Sequence, residues 1–242
     1  MTGNPLFAII ATVAIAIFAF GVVANIMFWL SGRSLLPEEK RRPNVDGGSP
    51  WRSLVLDGLF QRRLWRLSRL RWLMKIGFIW GTAELFFVGS LGDMLSEKGI
   101  LPIGKDTPLF AALNEIGTVL VFLGVGVALY RRFIAREVLL PTSPGDTFTV
   151  VLLATTVLSG LLVEAARLLT DSVPASIGWY SFVGYFVAHL IRPLSSDWSA
   201  VLAPAWWTHM VLAFSLVAYL PYGKLFHMLV SPLVLAVGAK ER

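Results

Sequence analysis

The segment Trp206-Trp207-Thr208-His209-Met210-Val211-Leu212-Ala213-Phe214-Ser215-Leu216-Val217-Ala218-Tyr219-Leu220-Pro221-Tyr222-Gly223-Lys224-Leu225-Phe226-His227 places two histidines, 18 residues apart, in one apolar run. Read as a single helix of ~100° per residue, it projects both imidazoles from one face, about 27 Å apart. A neutral imidazole nitrogen is a good iron ligand, so one face at two depths is how a membrane helix would hold two b-type haems, one towards each side of the bilayer. The competing reading is that either histidine caps its helix at the lipid interface.

The rest of the chain supports a membrane setting. Of 242 residues 56% are hydrophobic, and the mean hydropathy is +0.70, above the ~45–50% apolar content of a soluble domain. Apolar runs predict five spans, at about 5–30, 72–91, 109–130, 148–169 and 204–229. The first has no basic residues before it and so lacks the n-region of a cleaved signal peptide. Residues 177–191 are amphipathic and too short to span comfortably, which predicts an interfacial or partly re-entrant helix between the fourth and fifth spans. The expected fold is therefore an all-α integral membrane protein, a five-transmembrane-helix bundle in one membrane domain with an extra amphipathic helix.

Charge gives the orientation. Residues 31–75 hold 11 of the 21 Lys and Arg residues; Arg131, Arg132, Arg136, Lys224, Lys240 and Arg242 bring one side to 17. By the positive-inside rule that side is the cytoplasm, with the N-terminus outside and the loop 31–71 and the C-terminus within. The net charge of +6 follows from this segregation and does not indicate nucleic acid. In the loop, Leu56, Phe60, Leu64 and Leu67 recur at helical spacing while Arg62, Arg66 and Arg69 cluster away from them. That pattern predicts a helix lying on an anionic membrane surface, able to dock a cytoplasmic partner. The chain has no cysteine, so it cannot hold an iron–sulfur cluster; any cluster belongs to a partner.

Ionisable residues in spans are costly and mark functional sites by default. The second span carries Glu84, the third Asn114 and Glu115, and the fourth Glu164 and Arg167, close enough to pair at i and i+3. With His209 expected at the outer start of the fifth span, these residues suit a site where a quinol gives up electrons and protons, Glu84 and Glu115 being the candidates to handle protons. Glu164 and Arg167 either neutralise each other or leave Arg167 for haem propionates. Gly77 and Gly81 allow close approach of another helix or of a porphyrin. Met74 shares their face and is a possible thioether ligand, whereas Lys75 is turned away, towards the interface.

The stretch Leu129-Tyr130-Arg131-Arg132-Phe133-Ile134-Ala135-Arg136, followed by Pro141-Thr142-Ser143-Pro144-Gly145-Asp146 and a span containing Gly160-Leu161-Leu162, resembles the gamma-subunit family of respiratory nitrate reductase. The segment from Trp206 to Pro232 is similar to the membrane cytochrome b of heterodisulfide reductase-like complexes. This resemblance, over about residues 70 to 235, implies a five-helix, usually dihaem, cytochrome b of a prokaryotic cytoplasmic membrane. It implies electron exchange between a quinone, as mobile carrier, and an iron–sulfur subunit on the cytoplasmic side, with His209 at the outer haem and His227 at the inner one.

The chain departs from that pattern in its second span, where the family supplies the opposing histidines. Here Arg71-Trp72-Leu73-Met74-Lys75-Ile76-Gly77-Phe78-Ile79-Trp80-Gly81 has none, Lys75 stands in the expected slot, and Glu84 or Leu85 stands at the second. Three histidines cannot make two bis-histidine haems, so one haem b is expected rather than two. His189 could fold back to pair with His209. His227 could use Met74 or Lys75, or hold iron alone. The alternative is a haem-free anchor that places lipid or quinone beside a catalytic partner. A small transporter is disfavoured, since no internal repeat or broken-helix pair is evident.

Overall fold

A computed structural model describes residues 4–34, 50–102, 104, 107–135, 144–223, 226 and 230. Among these all regular structure is helical, and five helices are long and apolar enough to cross a membrane: Pro5–Trp29, Arg69–Glu97, Pro108–Ile134, Thr147–Thr170 and Trp198–Tyr222. The elements are α1 (Pro5–Ser34), α2 (Pro50–Arg52), α3 (Arg62–Leu67), α4 (Arg69–Glu84), α5 (Asp93–Glu97), α6 (Pro108–Leu129), α7 (Pro144–Thr170), α8 (Ala175–Gly178), α9 (Phe182–Ile191) and α10 (Trp198–Tyr219). Two compact units are formed, one of Met1–Trp72, Pro141–Thr149 and Ala213–Arg242, the other of Leu73–Leu140 and Val150–Leu212.

In the first unit α1 answers a break in the chain. After Tyr219 the helix tightens into a 3₁₀ turn, Leu220–Tyr222, and Gly223 is extended at φ −101°, ψ 169°. Pro221 has no N–H to continue the α-helical ladder. Its carbonyl accepts 3.0 Å from Asn25 Nδ2, and Tyr222 donates its hydroxyl to Ile17 O at 3.2 Å. Gly21 permits the contact, since a Cβ there would lie 2.7 Å from Pro221 Cβ. The single-helix premise for His209 and His227 therefore fails: rotation and rise are not carried through residues 220–223, and His227 itself lies outside the described residues.

The basic segment differs from expectation too. It is a π-helical run Ser53–Leu59, then α3, with Gln61 between them in the left-handed region at φ 52° and Ser68 extended after α3. Two breaks so close together prevent one continuous amphipathic surface helix, and Leu67 is 82% exposed. Residues 35–49, and Arg136, lie outside the described residues.

The second unit is organised by glycine. A Cβ on Gly77 would meet Leu120 O at 2.5 Å, one on Gly81 would meet Val121 N at 2.7 Å, and one on Gly124 would meet Phe78 N at 3.0 Å. The Gly77/Gly81 face of α4 is thus occupied by α6, backbone against backbone, in small-residue packing of the membrane kind. Beyond Glu84 this span continues as a π-helical run, Leu85–Gly92, into α5, six residues further than the expected end.

The fifth span starts at Trp198, six residues before the expected Pro204. Asp197 supplies the cap: its Oδ1 accepts 2.6 Å from the Ser199 hydroxyl and 3.2 Å from Ala200 N–H, satisfying a donor the helix leaves unpaired. Pro204 lies inside the helix. The interfacial stretch 177–191 is two pieces, α8 and α9, joined by the 3₁₀ turn Trp179–Ser181.

Gly81→Ala should drive a Cβ into the α6 backbone and cost about 1–3 kcal/mol as overpacking, read as a lower midpoint of thermal unfolding in detergent. At the cap of α10, the Ser199 hydroxyl and then the Ala200 amide hold the Asp197 carboxyl below its ordinary value of 3.8. A depressed folded value stabilises fully above the ordinary value and is lost as pH falls through the lower, folded one. Amide exchange at Ser199 and Ala200 should accelerate over that acid range, and should not do so in Asp197→Asn, which caps without titrating.

Candidate functional site

His209 is eleven residues into its span, about 16 Å along the axis. It so lies near the middle of the span, not at the outer end that a start at Pro204 implies. Its partner is α7. His209 Nδ1 is 3.0 Å from Ser159 Oγ, and Ser159 Oγ donates 2.8 Å to Thr156 O. A hydroxyl has one proton. With that proton on the Thr156 carbonyl, Ser159 accepts from Nδ1–H, and the neutral ring keeps its lone pair on Nε2. Gly160 makes room, since a Cβ there would stand 2.9 Å from His209 Cε1.

This donor set would suit a haem, with His209 holding the iron through Nε2. Haem-ligating histidines bind through one ring nitrogen while the other donates to an oxygen that fixes the ring and raises ligand basicity.

His189 is elsewhere. It lies on α9, lining a cavity against Leu168 and Leu169 at the end of α7, whereas His209 packs on Ser159 and Gly160. Eight or nine residues of α7 separate the two levels, about 12–13 Å, so the two rings are not brought together as a haem pair. Met74 Sδ accepts from Arg131 Nη1 at 3.7 Å, which engages the sulfur that could otherwise ligate iron. Lys75 is partly buried near the start of its span.

The carboxylates have distinct surroundings. Glu115 is 1% exposed; its two oxygens accept from Val183 N–H at 3.2 Å and Gly184 N–H at 3.1 Å. A side chain of α6 thereby caps the N-terminus of α9, where the helix dipole favours an anion. Gly184 is needed, because a Cβ would meet Glu164 Cγ at 2.8 Å and Glu115 Oε1 at 3.2 Å. Arg167 Nη2 lies 3.0 Å from Glu164, and Nη1 lies 3.6 Å from Asp171, so its guanidinium is held between two carboxylates. Glu84 packs on Gly117, both its oxygens buried without a hydrogen-bond partner. Neither Glu84 nor Glu115 is presented to lipid. Sequence reasoning missed the Glu115 cap and the Ser159 hydroxyl, because both are made across more than 45 residues of chain; only Ser159-Gly160, a small polar pair inside an apolar span, hinted at a close approach.

Five helices long and apolar enough to cross a membrane, with an imidazole held between two of them, describe a multi-pass membrane protein. The family model "Nitrate reductase gamma subunit" matches residues 101–238, and the chain belongs to that family. It is 25% identical over 254 residues to a subunit of the dihydromethanophenazine:CoB–CoM heterodisulfide reductase of Methanosarcina barkeri, covering 94% of this chain and 89% of that one. It is 26% identical to a probable iron-sulfur-binding oxidoreductase, FadF, of Bacillus subtilis, over 56% of this chain and 20% of that protein. It is 25% identical to the EtfAB:quinone oxidoreductase of Syntrophomonas wolfei, over 93% of this chain and 32% of that one. No solved structure matches.

The Glu115 cap can be tested by removing it. Glu115→Leu deletes both acceptors and strands two amides of α9, at a cost of about 1–3 kcal/mol for each buried group left unpaired. Limited proteolysis of the purified protein should then cut between Asp171 and Phe182 faster than in the wild type.

Proposed function

We propose that this protein is a cytochrome b-type subunit that passes electrons between a membrane quinone pool and an iron–sulfur partner on the cytoplasmic side, with one haem b held at His209. The observation that carries the reading is the chain Thr156 O, Ser159 Oγ, His209 Nδ1. Nδ1–H donated to Ser159 leaves the lone pair on Nε2, the nitrogen that would bind iron. When bound, the haem supplies one-electron transfer. Ser159 and Thr156 orient the ring, Gly160 admits it against α7, and the surrounding apolar helices exclude water.

The partners follow from composition and likeness. A chain without cysteine passes its electrons to clusters held by another subunit. Regions like this one form a fifth of a protein named as iron-sulfur-binding and a third of one named as a quinone oxidoreductase, which supports the same pairing by covalent fusion. The basic residues support an orientation with the N-terminus outside and the partner on the cytoplasmic face of a prokaryotic inner membrane. A second reading, a haem-free anchor for such a complex, is favoured by one fact: His189, the second ligand offered for His209, is not brought beside it.

A pyridine haemochrome count on the purified complex, corrected for haem on partners, separates the two. One haem b per chain, lost in His209→Ala and kept in Ser159→Ala with a shifted midpoint potential, is the expected result. No haem in the wild type would establish the anchor.

A further inference from the structure

The second unit contains a cavity of about 140 Å³ between the end of α7 and α9, below the ~300–1,000 Å³ of a site that encloses a whole organic ligand. It has room for one ring or one headgroup, not for a porphyrin. Leu168, Val173 and Tyr185 are among its walls, and Ser172, His189 and Arg192 line it too. Ser172 is fixed there by the end of α7: it is in the left-handed region at φ 49°, and Val173 N–H reaches back to Leu168 O at 3.3 Å, closing the helix in the way glycine usually does.

The imidazole decides what the cavity accepts. His189 Nδ1 is 2.9 Å from Tyr185 O; a backbone carbonyl can only accept, so Nδ1 carries the proton. Nε2 is left as an acceptor without a partner among the described residues. Arg192 makes no ion pair among them either, and offers only donors. An acceptor and a donor beside apolar walls complement a ring that carries both a hydroxyl and an oxygen able to accept. A lipid phosphodiester has no proton to give Nε2, so its phosphate suits only the Arg192 half of the site.

We propose that this cavity binds the ring of a hydroquinone-type carrier, His189 Nε2 accepting from a ring hydroxyl and Arg192 donating to a ring oxygen. This rests on the quinone-linked function proposed above and gives that function its carrier site. It also gives His189 a role distinct from iron ligation. Next to the cavity α9 exposes Phe186 and Leu190, a surface for lipid along which an apolar tail would run. The bound ring would stack beside Tyr185, whose own ring lies 5.7 Å from Trp179.

The test is binding, independent of turnover. A short-tailed naphthohydroquinone, kept reduced by excess dithionite and titrated anaerobically into the purified full complex with tryptophan fluorescence and calorimetry as readouts, should bind the wild type. It should bind about tenfold or more weakly in His189→Leu and in Arg192→Leu, the scale of one lost hydrogen bond to a charged or buried group, with the chemically reduced haem spectrum unchanged in both. Equal affinity in both variants would overturn the proposal. So would loss of haem absorbance in His189→Leu, which would make this residue an iron ligand, or displacement of the probe by phosphatidylglycerol vesicles but not by phosphatidylcholine vesicles, which would make the site one for lipid phosphate. Binding that depends on both residues in a wild type lacking haem would uphold this site and reject the cytochrome reading alone.

Discussion

Inside hydrocarbon no water is available to polar groups, so each must be answered by protein or carry a cost of several kcal/mol. That constraint explains more of this structure than apolar packing does. Asn25 answers the Pro221 carbonyl where the fifth span breaks. Glu115 answers two amides where α9 begins, and Glu164 and Asp171 flank Arg167 where α7 ends. The first two pairings tie elements far apart in sequence, and all three stand where a helix starts, stops or tightens. Lipid can cover the exposed apolar faces of α1 or α6 without specificity, but it cannot supply a hydrogen bond to an orphaned carbonyl.

Glycine is the complement of these polar contacts. Gly77, Gly81 and Gly124 let α4 and α6 approach until backbone meets backbone, gaining dispersion contacts that Leu–Leu packing in lipid would not favour over Leu–lipid contact. Gly21, Gly160 and Gly184 do something different. Each clears the space in which a specific group sits: Pro221, the His209 ring, and the Glu115 and Glu164 side chains. A Cβ at any of the three would displace the group that satisfies a polar atom nearby, so packing and hydrogen bonding are coupled at these positions.

What was legible in the sequence divides along the same line. Hydropathy located all five spans, because burial in lipid depends on runs of local composition. It misplaced the start of α10, since Pro204 looked like a first helical residue while the cap, Asp197, lies seven residues earlier after Ser195 and Ser196. It also carried a helical phase through Leu220-Pro221-Tyr222-Gly223, where proline and glycine are themselves the signal of a break. The amphipathic run from Leu56 to Arg69 had the right spacing for one helix, yet spacing does not reveal that Gln61 is left-handed. Glu84 and Glu115 read alike as ionisable residues in spans; only tertiary structure shows that Glu115 caps a helix while Glu84 is enclosed against Gly117.

The histidines bring these threads together. His209 and His189 follow one rule: a neighbouring oxygen takes Nδ1–H, Ser159 in one case and the Tyr185 carbonyl in the other, so both rings keep their lone pair on Nε2. Depth and company then separate their chemistry. His209 is at mid-span, pressed on Gly160 of α7 with its tautomer set by a hydroxyl, as an iron ligand requires. His189 is on a short helix, beside an exposed arginine and at the mouth of a cavity the size of one ring, as a hydrogen-bond acceptor for a diffusing molecule requires. By the family resemblance iron falls to His209 and His227, not to His189. The hydrogen bonds of His209 and His189 set the same tautomer at two levels, about two turns of α7 apart, one suited to iron and the other to a carrier's hydroxyl.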